Sequence, residues 1–293
     1  MQSNKSIGRF FCFGLGYSAT HLARLLLADG WHVAGTCRSL EQKKTLEAEG
    51  FEVHIFDGTT PLKNARETLK NTTHLLSSVP TDGTVADPVL EYHFEDIGDI
   101  LTLQWVGYLS TTGVYGDRNG GWVDETAPLE PTGPRGEQRV TAEARWMDLW
   151  WDGGLPIHGF RLAGIYGPGR SALDTVKAGR AKRINKAGQV FSRIHIDDIT
   201  QILHASMAQP HPGQFYNCCD DNPAPPEEVI AFACKLLDVE KPPLIPFNEA
   251  DLSPMARSFY RDNKRVSNQR IKQELGVSLR WPNYKEALNF LAK

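Results

Sequence analysis

The chain has 293 residues, 41% of them hydrophobic and 23% charged, with a formal net charge of -3. That length buries a sizeable core, as one large domain or as one domain plus a lobe. The acidic balance argues against a nucleic-acid surface, which needs a clustered basic excess. The one basic run, Lys177 to Lys186, reads as a solvated helix end.

Strands are predicted at Arg9–Gly14, His32–Cys37, Glu52–Phe56, His74–Val79 and Gln104–Ser110. Between them, Ala19–Asp29, Leu40–Gly50, Leu62–Lys70 and Pro88–Thr102 have helical spacing or length. The strands are apolar throughout rather than alternating, as in a parallel sheet covered on both faces. Strand–helix alternation implies right-handed βαβ units and therefore an α/β, doubly wound sheet. A helix at Arg139–Trp151 and a strand at Pro156–Leu162 follow. Beyond residue 163 the pattern breaks into shorter pieces: Ala172–Ala181, Phe191–Ile196, Asp197–Ala208, Gln214–Asn217, Pro226–Leu237 and Asn263–Leu275. The expected division is a dinucleotide-binding Rossmann core over 1–162 and a small α/β substrate lobe over 163–293, integral with the core. Trp146 and Trp150 share a helix face, which predicts burial or a subunit contact.

The first strand runs into Gly14-Leu-Gly16-Tyr17-Ser18-Ala19, a G-x-G-x-x-A motif placed between strand and helix. Gly14 permits the tight turn, Gly16 lets backbone approach a pyrophosphate, and Ala19 allows close helix–strand packing. The N–H groups that open the helix then face the phosphates. A tight turn without ligand is the bland alternative. At the end of the second strand, Cys37-Arg38-Ser39 carries no acid before Glu41. An acid there would accept from a ribose 2′-hydroxyl and repel a 2′-phosphate, whereas a guanidinium with a neighbouring hydroxyl suits the phosphate. NADP is expected over NAD, with Arg38 as a plain surface residue the alternative. Asp57 either meets the adenine edge or serves as a helix N-cap or Asx-turn residue before Pro61. Ser78 and Val79 end the fourth strand where pyrophosphate and ribose would cross.

Several landmarks then resemble the extended short-chain dehydrogenase/reductase (SDR) superfamily, in its NAD-dependent epimerase/dehydratase group. They are Leu109-Ser-Thr111-Thr-Gly-Val-Tyr115-Gly116, Asp124-Glu125 with Pro128 to Pro131, Arg161 to Gly169, and Ile194-His195-Ile-Asp-Asp198. The resemblance implies that Thr111 bonds a substrate oxygen. It also implies a Tyr-x-x-x-Lys pair, in which the phenol moves the proton and the Lys lowers its pKa and holds the nicotinamide ribose. The matching positions are Arg135 and Arg139. Arg139 can still bond a ribose hydroxyl, but Arg135 has no proton to exchange near neutral pH. The chain is therefore identified as an atypical member. The family's dehydration acids are replaced by Thr112-Gly113, and its pyrophosphate arginine is displaced to Arg193, which favours a small substrate. Tyr115 and Tyr166 are expected to be packing residues and His195 to satisfy a loop carbonyl.

Two function classes follow: an NADP-dependent oxidoreductase or epimerase-like enzyme on a small polar carbonyl or hydroxyl compound, or a non-catalytic NADP-binding regulator. Expected partners are a small-molecule substrate but no nucleic acid and no membrane, in a monomer or homodimer. Cys12, Cys37, Cys218, Cys219 and Cys234 form no Cys-x-x-Cys pair, which predicts reduced cytoplasmic thiols and no metal site.

Overall fold

The computed structural model describes residues 8–81 and 85–293. In chain order the first half gives β1 (Arg9–Phe13), α1 (Tyr17–Ala28), β2 (His32–Cys37), α2 (Leu40–Ala48), β3 (Glu52–Ile55) and α3 (Ala65–Leu69). Then come β4 (His74–Ser77), α4 (Pro88–Gly98), β5 (Trp105–Thr111), β6 (Trp122–Val123), α5 (Pro134–Trp151) and β7 (Ile157–Leu162). Shorter elements follow: β8 (Gly164–Tyr166), α6 (Ala172–Lys177), β9 (Arg183–Asn185), β10 (Arg193–His195), α7 (Ile196–Ala208) and β11 (Phe215–Cys218). The chain ends with α8 (Pro226–Leu236), β12 (Leu244–Pro246), α9 (Pro254–Phe259), β13 (Arg265–Val266), α10 (Gln269–Glu274) and α11 (Tyr284–Leu291).

The central sheet is parallel and seven-stranded, in the order β11-β7-β5-β4-β1-β2-β3. The doubly wound expectation holds. Strand order reverses between β1 and β4, the switch point at which ligands of open α/β sheets bind. Both the Gly14 turn and the Ser77–Val79 segment leave the sheet there.

The chain forms two compact units, each assembled from separate segments. One unit takes the described part of Met1–Ser110 with Gln138–Phe160 and Leu203–Phe215. In it, α4 and α5 cover one sheet face: Phe11 and Phe13 of β1, Val106 and Tyr108 of β5, Val89 and Leu90 of α4, and Ala142, Trp146 and Leu149 of α5 form one buried cluster. Burying each such large apolar side chain contributes roughly 1.5–3 kcal/mol.

The other unit takes Thr111–Glu137, Arg161–Ile202 and Tyr216–Lys293. Its strands pair two by two and in parallel: β8 with β10, β9 with β12, β6 with β13. Helices α6, α8 and α11 enclose Leu173, Val229, Tyr284 and Leu288. Local chemistry starts these helices. Ser171 and Asp174 make a reciprocal capping box at α6, and Asn283 accepts from two N–H groups at α11.

Several boundaries differ from the sequence expectation. Helix α5 starts at Pro134, not Arg139, because proline is well suited to a first helical position, where its missing N–H is not needed. Helix α3 is shortened to Ala65–Leu69 behind Asn64, which adopts a left-handed conformation with φ 53°. Strand β11, expected among the short lobe elements, joins the central sheet as an edge strand. All five cysteines are free and buried. Among the described residues no helix is long and apolar enough to cross a membrane, and no His/Cys/Asp/Glu group could hold a metal ion.

Candidate functional site

Two glycines of the β1–α1 turn are glycines for different reasons. Gly14 has φ +88°, and a Cβ there would meet Ser78 Oγ at 3.1 Å and Val79 Cγ2 at 3.2 Å. Its N–H donates to Thr36 Oγ1 at 2.8 Å and its carbonyl accepts from the Ser78 hydroxyl. The fold itself demands Gly14. Gly16 is ordinary extended backbone, φ -91° and ψ -168°, and a Cβ on it would meet only the Gly14 carbonyl, at 4.0 Å. Packing among the described residues does not explain Gly16.

Gly16 is the N-cap of α1, which has no side-chain cap hydrogen bond. Ser18 and Ala19 are buried in that turn, so the positive end of the helix is presented by backbone. Tyr17 packs its ring against His21, with centroids 4.9 Å apart.

Arg38, just past β2, is exposed and has no side-chain hydrogen bond or ion pair among the described residues. Ser39 caps α2 by accepting from Gln42 N at 3.2 Å, which leaves its own O–H to donate. Asp57 Oδ1 accepts from the N–H and the hydroxyl of Thr59 at 2.9 and 2.7 Å. Those bonds close the Asx turn and hold its carboxyl below the usual carboxylate range.

On α5, Arg139 Nη1 donates to the Tyr108 hydroxyl at 2.8 Å and to the Leu109 carbonyl at 3.1 Å. The Arg139 guanidinium also lies over the Tyr108 ring, 5.7 Å from its centroid. Tyr108 stacks on Trp146, whose Nε1 donates to Asp87 Oδ2 at 2.8 Å. Asp87 in turn caps α4 through Val89 N and Leu90 N. Burial pushes up both the Tyr108 phenol and the Asp87 carboxyl, so this buried phenol is no ready proton donor or acceptor. Nearby, the Ser110 hydroxyl donates to the buried Glu143 at 2.6 Å. Sequence reasoning missed Tyr108, Asp87 and Glu143. Asp87-Pro88 did carry a helix-start signature, and Glu143 is an acid amid a buried stripe.

In the second unit, Thr111 Oγ1 accepts from Gly113 N at 3.1 Å, starting the turn Thr112–Tyr115 and leaving the threonine O–H to donate. The Tyr115 hydroxyl donates to Asn217 Oδ1 at 2.7 Å and accepts from Arg161 Nη1 at 2.9 Å. Burial pushes its phenol up to about 12. Tyr166 is buried and its phenol is raised further. His195 is 1% exposed, with its ring edge-on to Tyr166 and Trp281. The two tyrosines pack, as expected, while His195, expected to satisfy a loop carbonyl, accepts at Nδ1 from the Asp197 N–H at 3.2 Å. Arg193 donates to the carbonyls of Phe191 and Ala224 at 2.8 and 3.0 Å. Arg135 is exposed on the first turn of α5 and has no side-chain partner among the described residues.

The comparisons bear on this geometry. A conserved protein of unknown function from Silicibacter pomeroyi has the same fold at TM-score 0.90, with 50% identity over 97% of this chain and 98% of that one. The chain belongs to the same family as that protein. UDP-glucuronic acid 4-epimerase from Bacillus cereus, in complex with UDP-glucuronic acid and NAD, superposes at TM-score 0.77 with 16% identity over 97% of this chain and 98% of that one. The fold is that of the extended SDR enzymes. In this chain the β1–α1 turn lies where the strand order of the sheet reverses. Protein YeeZ of Escherichia coli (strain K12) is 25% identical over 283 residues, 92% of this chain and 95% of its own length. No family model matches the chain.

Proposed function

We propose that the protein binds NADP(H) at the β1–α1 turn and is an oxidoreductase or epimerase-like enzyme acting on a small polar carbonyl or hydroxyl compound. Gly16 carries this reading. The residue is unstrained and faces open space at a helix N-terminus that no side chain caps, so the position is fitted to a phosphate rather than to the core. Arg38 and Ser39 supply a guanidinium and a hydroxyl for a 2′-phosphate, and Asp57, Val79 and Arg139 flank the adenine, pyrophosphate and ribose paths.

When bound, the cofactor supplies hydride exchange. The Thr111 hydroxyl orients a substrate oxygen. Arg135 recognises charge and moves no proton, because a guanidinium stays protonated in the working pH range. The accompanying proton is left to a substrate hydroxyl or to water. The five free thiols fit a reducing compartment, and we place the protein in the cytoplasm as a monomer or homodimer.

Calorimetric titration tests the cofactor. NADPH should bind at least tenfold more tightly than NADH, a difference of about 1.4 kcal/mol and within reach of one charge-assisted contact. Arg38→Ala should erase that preference while sparing NADH; equal affinities in the wild type sink the assignment. A second reading, a non-catalytic NADP-binding regulator, is favoured by one observation. The Tyr115 phenol is pushed up to about 12 and already bonded on both sides, so it does not replace the missing tyrosine. NADPH oxidation by any member of a carbonyl library would exclude the regulator.

A further inference from the structure

Arg135 and Arg261 belong to one unit, and the backbone just before Arg135 lies against the Arg261 side chain. The Arg261 guanidinium Nη1 lies 3.9 Å from the point where a Cβ on Gly133 would sit, two residues before Arg135. Both arginines are exposed, and neither has a side-chain hydrogen bond or ion pair among the described residues. The acids that neighbour them in sequence have other partners or face away. Glu130 is paired with Arg118. Asp262 accepts from the Thr132 hydroxyl and from Lys264 Nζ, the latter at 2.9 Å. Glu137 is two positions along α5 from Arg135, a spacing at which helix residues do not face each other. Two positive charges therefore remain without a counter-ion among the described residues.

Their position matters as much as their charge. A Cβ on Gly136, in the same first turn of α5 as Arg135, would lie 3.2 Å from the Gly113 carbonyl. That turn is the one opened by Thr111, and Lys264 Nζ fastens its far end by donating to the Gly116 carbonyl at 2.8 Å. The helix turn that carries Arg135 thus packs against the turn opened by the threonine, whose O–H is left to donate. The start of α5 adds its own partial positive charge.

We propose that Arg135 and Arg261 form an oxyanion-receiving pair, so that the substrate is a carbonyl or hydroxyl compound bearing a carboxylate or a phosphate. The proposal rests on the enzyme reading above and narrows its substrate class. Planar guanidinium forks match both oxyanions, and two of them hold the group in a fixed orientation beside Thr111. A tyrosine at position 135 would bring a phenol but no charge. The replacement exchanges a proton carrier for an anchor.

The test is binding, read by calorimetry on NADP-loaded protein, with pyruvate against pyruvamide and dihydroxyacetone phosphate against dihydroxyacetone. The expected result is that at least one anion binds tenfold or more tightly than its neutral counterpart. The two pairs separate a carboxylate site from a phosphate site. Arg135→Ala and Arg261→Ala should each weaken the anion tenfold or more, added salt should do the same, and NADPH affinity should be unchanged in both variants. Equal binding of charged and neutral probes, or full anion affinity in both variants, overturns the proposal. So does failure of all four probes and of inorganic phosphate to bind at about 10 mM, where a site worth only ~3 kcal/mol would still register. Should wild-type protein fail to bind NADPH, the enzyme reading falls instead; inorganic phosphate titrated against the cofactor-free variants then decides the pair by itself.

Discussion

At the scale of single residues, glycine chemistry separates what the fold needs from what a ligand needs. Gly16→Val should leave the protein folded, with an unchanged thermal midpoint, and abolish dinucleotide binding, because its side chain would enter open space over the helix start. Gly14→Ala should instead cost stability, roughly 1 kcal/mol or more, since φ is positive and Ser78 and Val79 stand at 3.1 and 3.2 Å. Paired melting and titration curves check both; a Gly16→Val protein that binds normally would move the phosphates elsewhere. Arg139 has a double assignment. Its bonds to Tyr108 and the Leu109 carbonyl predict that Arg139→Ala loses about 1–3 kcal/mol of stability. The ribose contact predicts a further loss of cofactor affinity, and unchanged NADPH binding in the variant would leave Arg139 purely structural. The glycine turn was legible in the sequence because turn and helix-start chemistry are local. The Asp87–Trp146–Tyr108–Arg139 chain was not, since it joins residues up to 59 positions apart that only tertiary packing brings together.

At the scale of elements, the start of α5 decides how Arg135 is presented. A glycine inside a helix normally costs up to 1 kcal/mol relative to alanine. At Gly136 the sign should reverse. A Cβ there would stand 2.5 Å from Pro131 Cβ as well as close to the Gly113 carbonyl, so the loop and the Thr111 turn must shift to admit it. Gly136→Ala should lower the denaturation midpoint despite its better helix propensity; a raised midpoint would show that the loop yields freely. The sequence reading began this helix at Arg139, four residues past Arg135. Pro134 instead opens the helix, as its fixed φ allows. Strand β11 eluded a chain-order reading for another reason: four residues carry too little pattern to say which sheet they join.

For the molecule as a whole, the pH dependence of stability should run downhill above neutrality. Asp220 is 1% exposed, and burial raises its carboxyl from 3.8 to about 8. Between those values the folded state keeps a proton that the unfolded state has lost, so the contribution of Asp220 falls as pH rises and levels off above about 8. Asp198, raised to about 6 by burial, acts in the same direction but is finished by then. His74 and His158, lowered to about 4, oppose it only below 6.5. The window from 6.5 to 8 therefore belongs to Asp220, at most about 1.4 kcal/mol per pH unit. Asp220→Asn should flatten that window and be more stable than wild type at pH 9, as measured by urea midpoints across the range. An unchanged slope would show that Asp220 ionises normally.

The five buried thiols give the protein a built-in clock. A thiol shielded from solvent is alkylated only during the moments when its surroundings open, so its labelling rate counts those openings rather than the speed of the reagent. Cys12 and Cys37 sit in one unit, and Cys218, Cys219 and Cys234 lie in the other. The order in which the five acquire mass would therefore reveal which half of the chain loosens first, with no probe added to the native sequence.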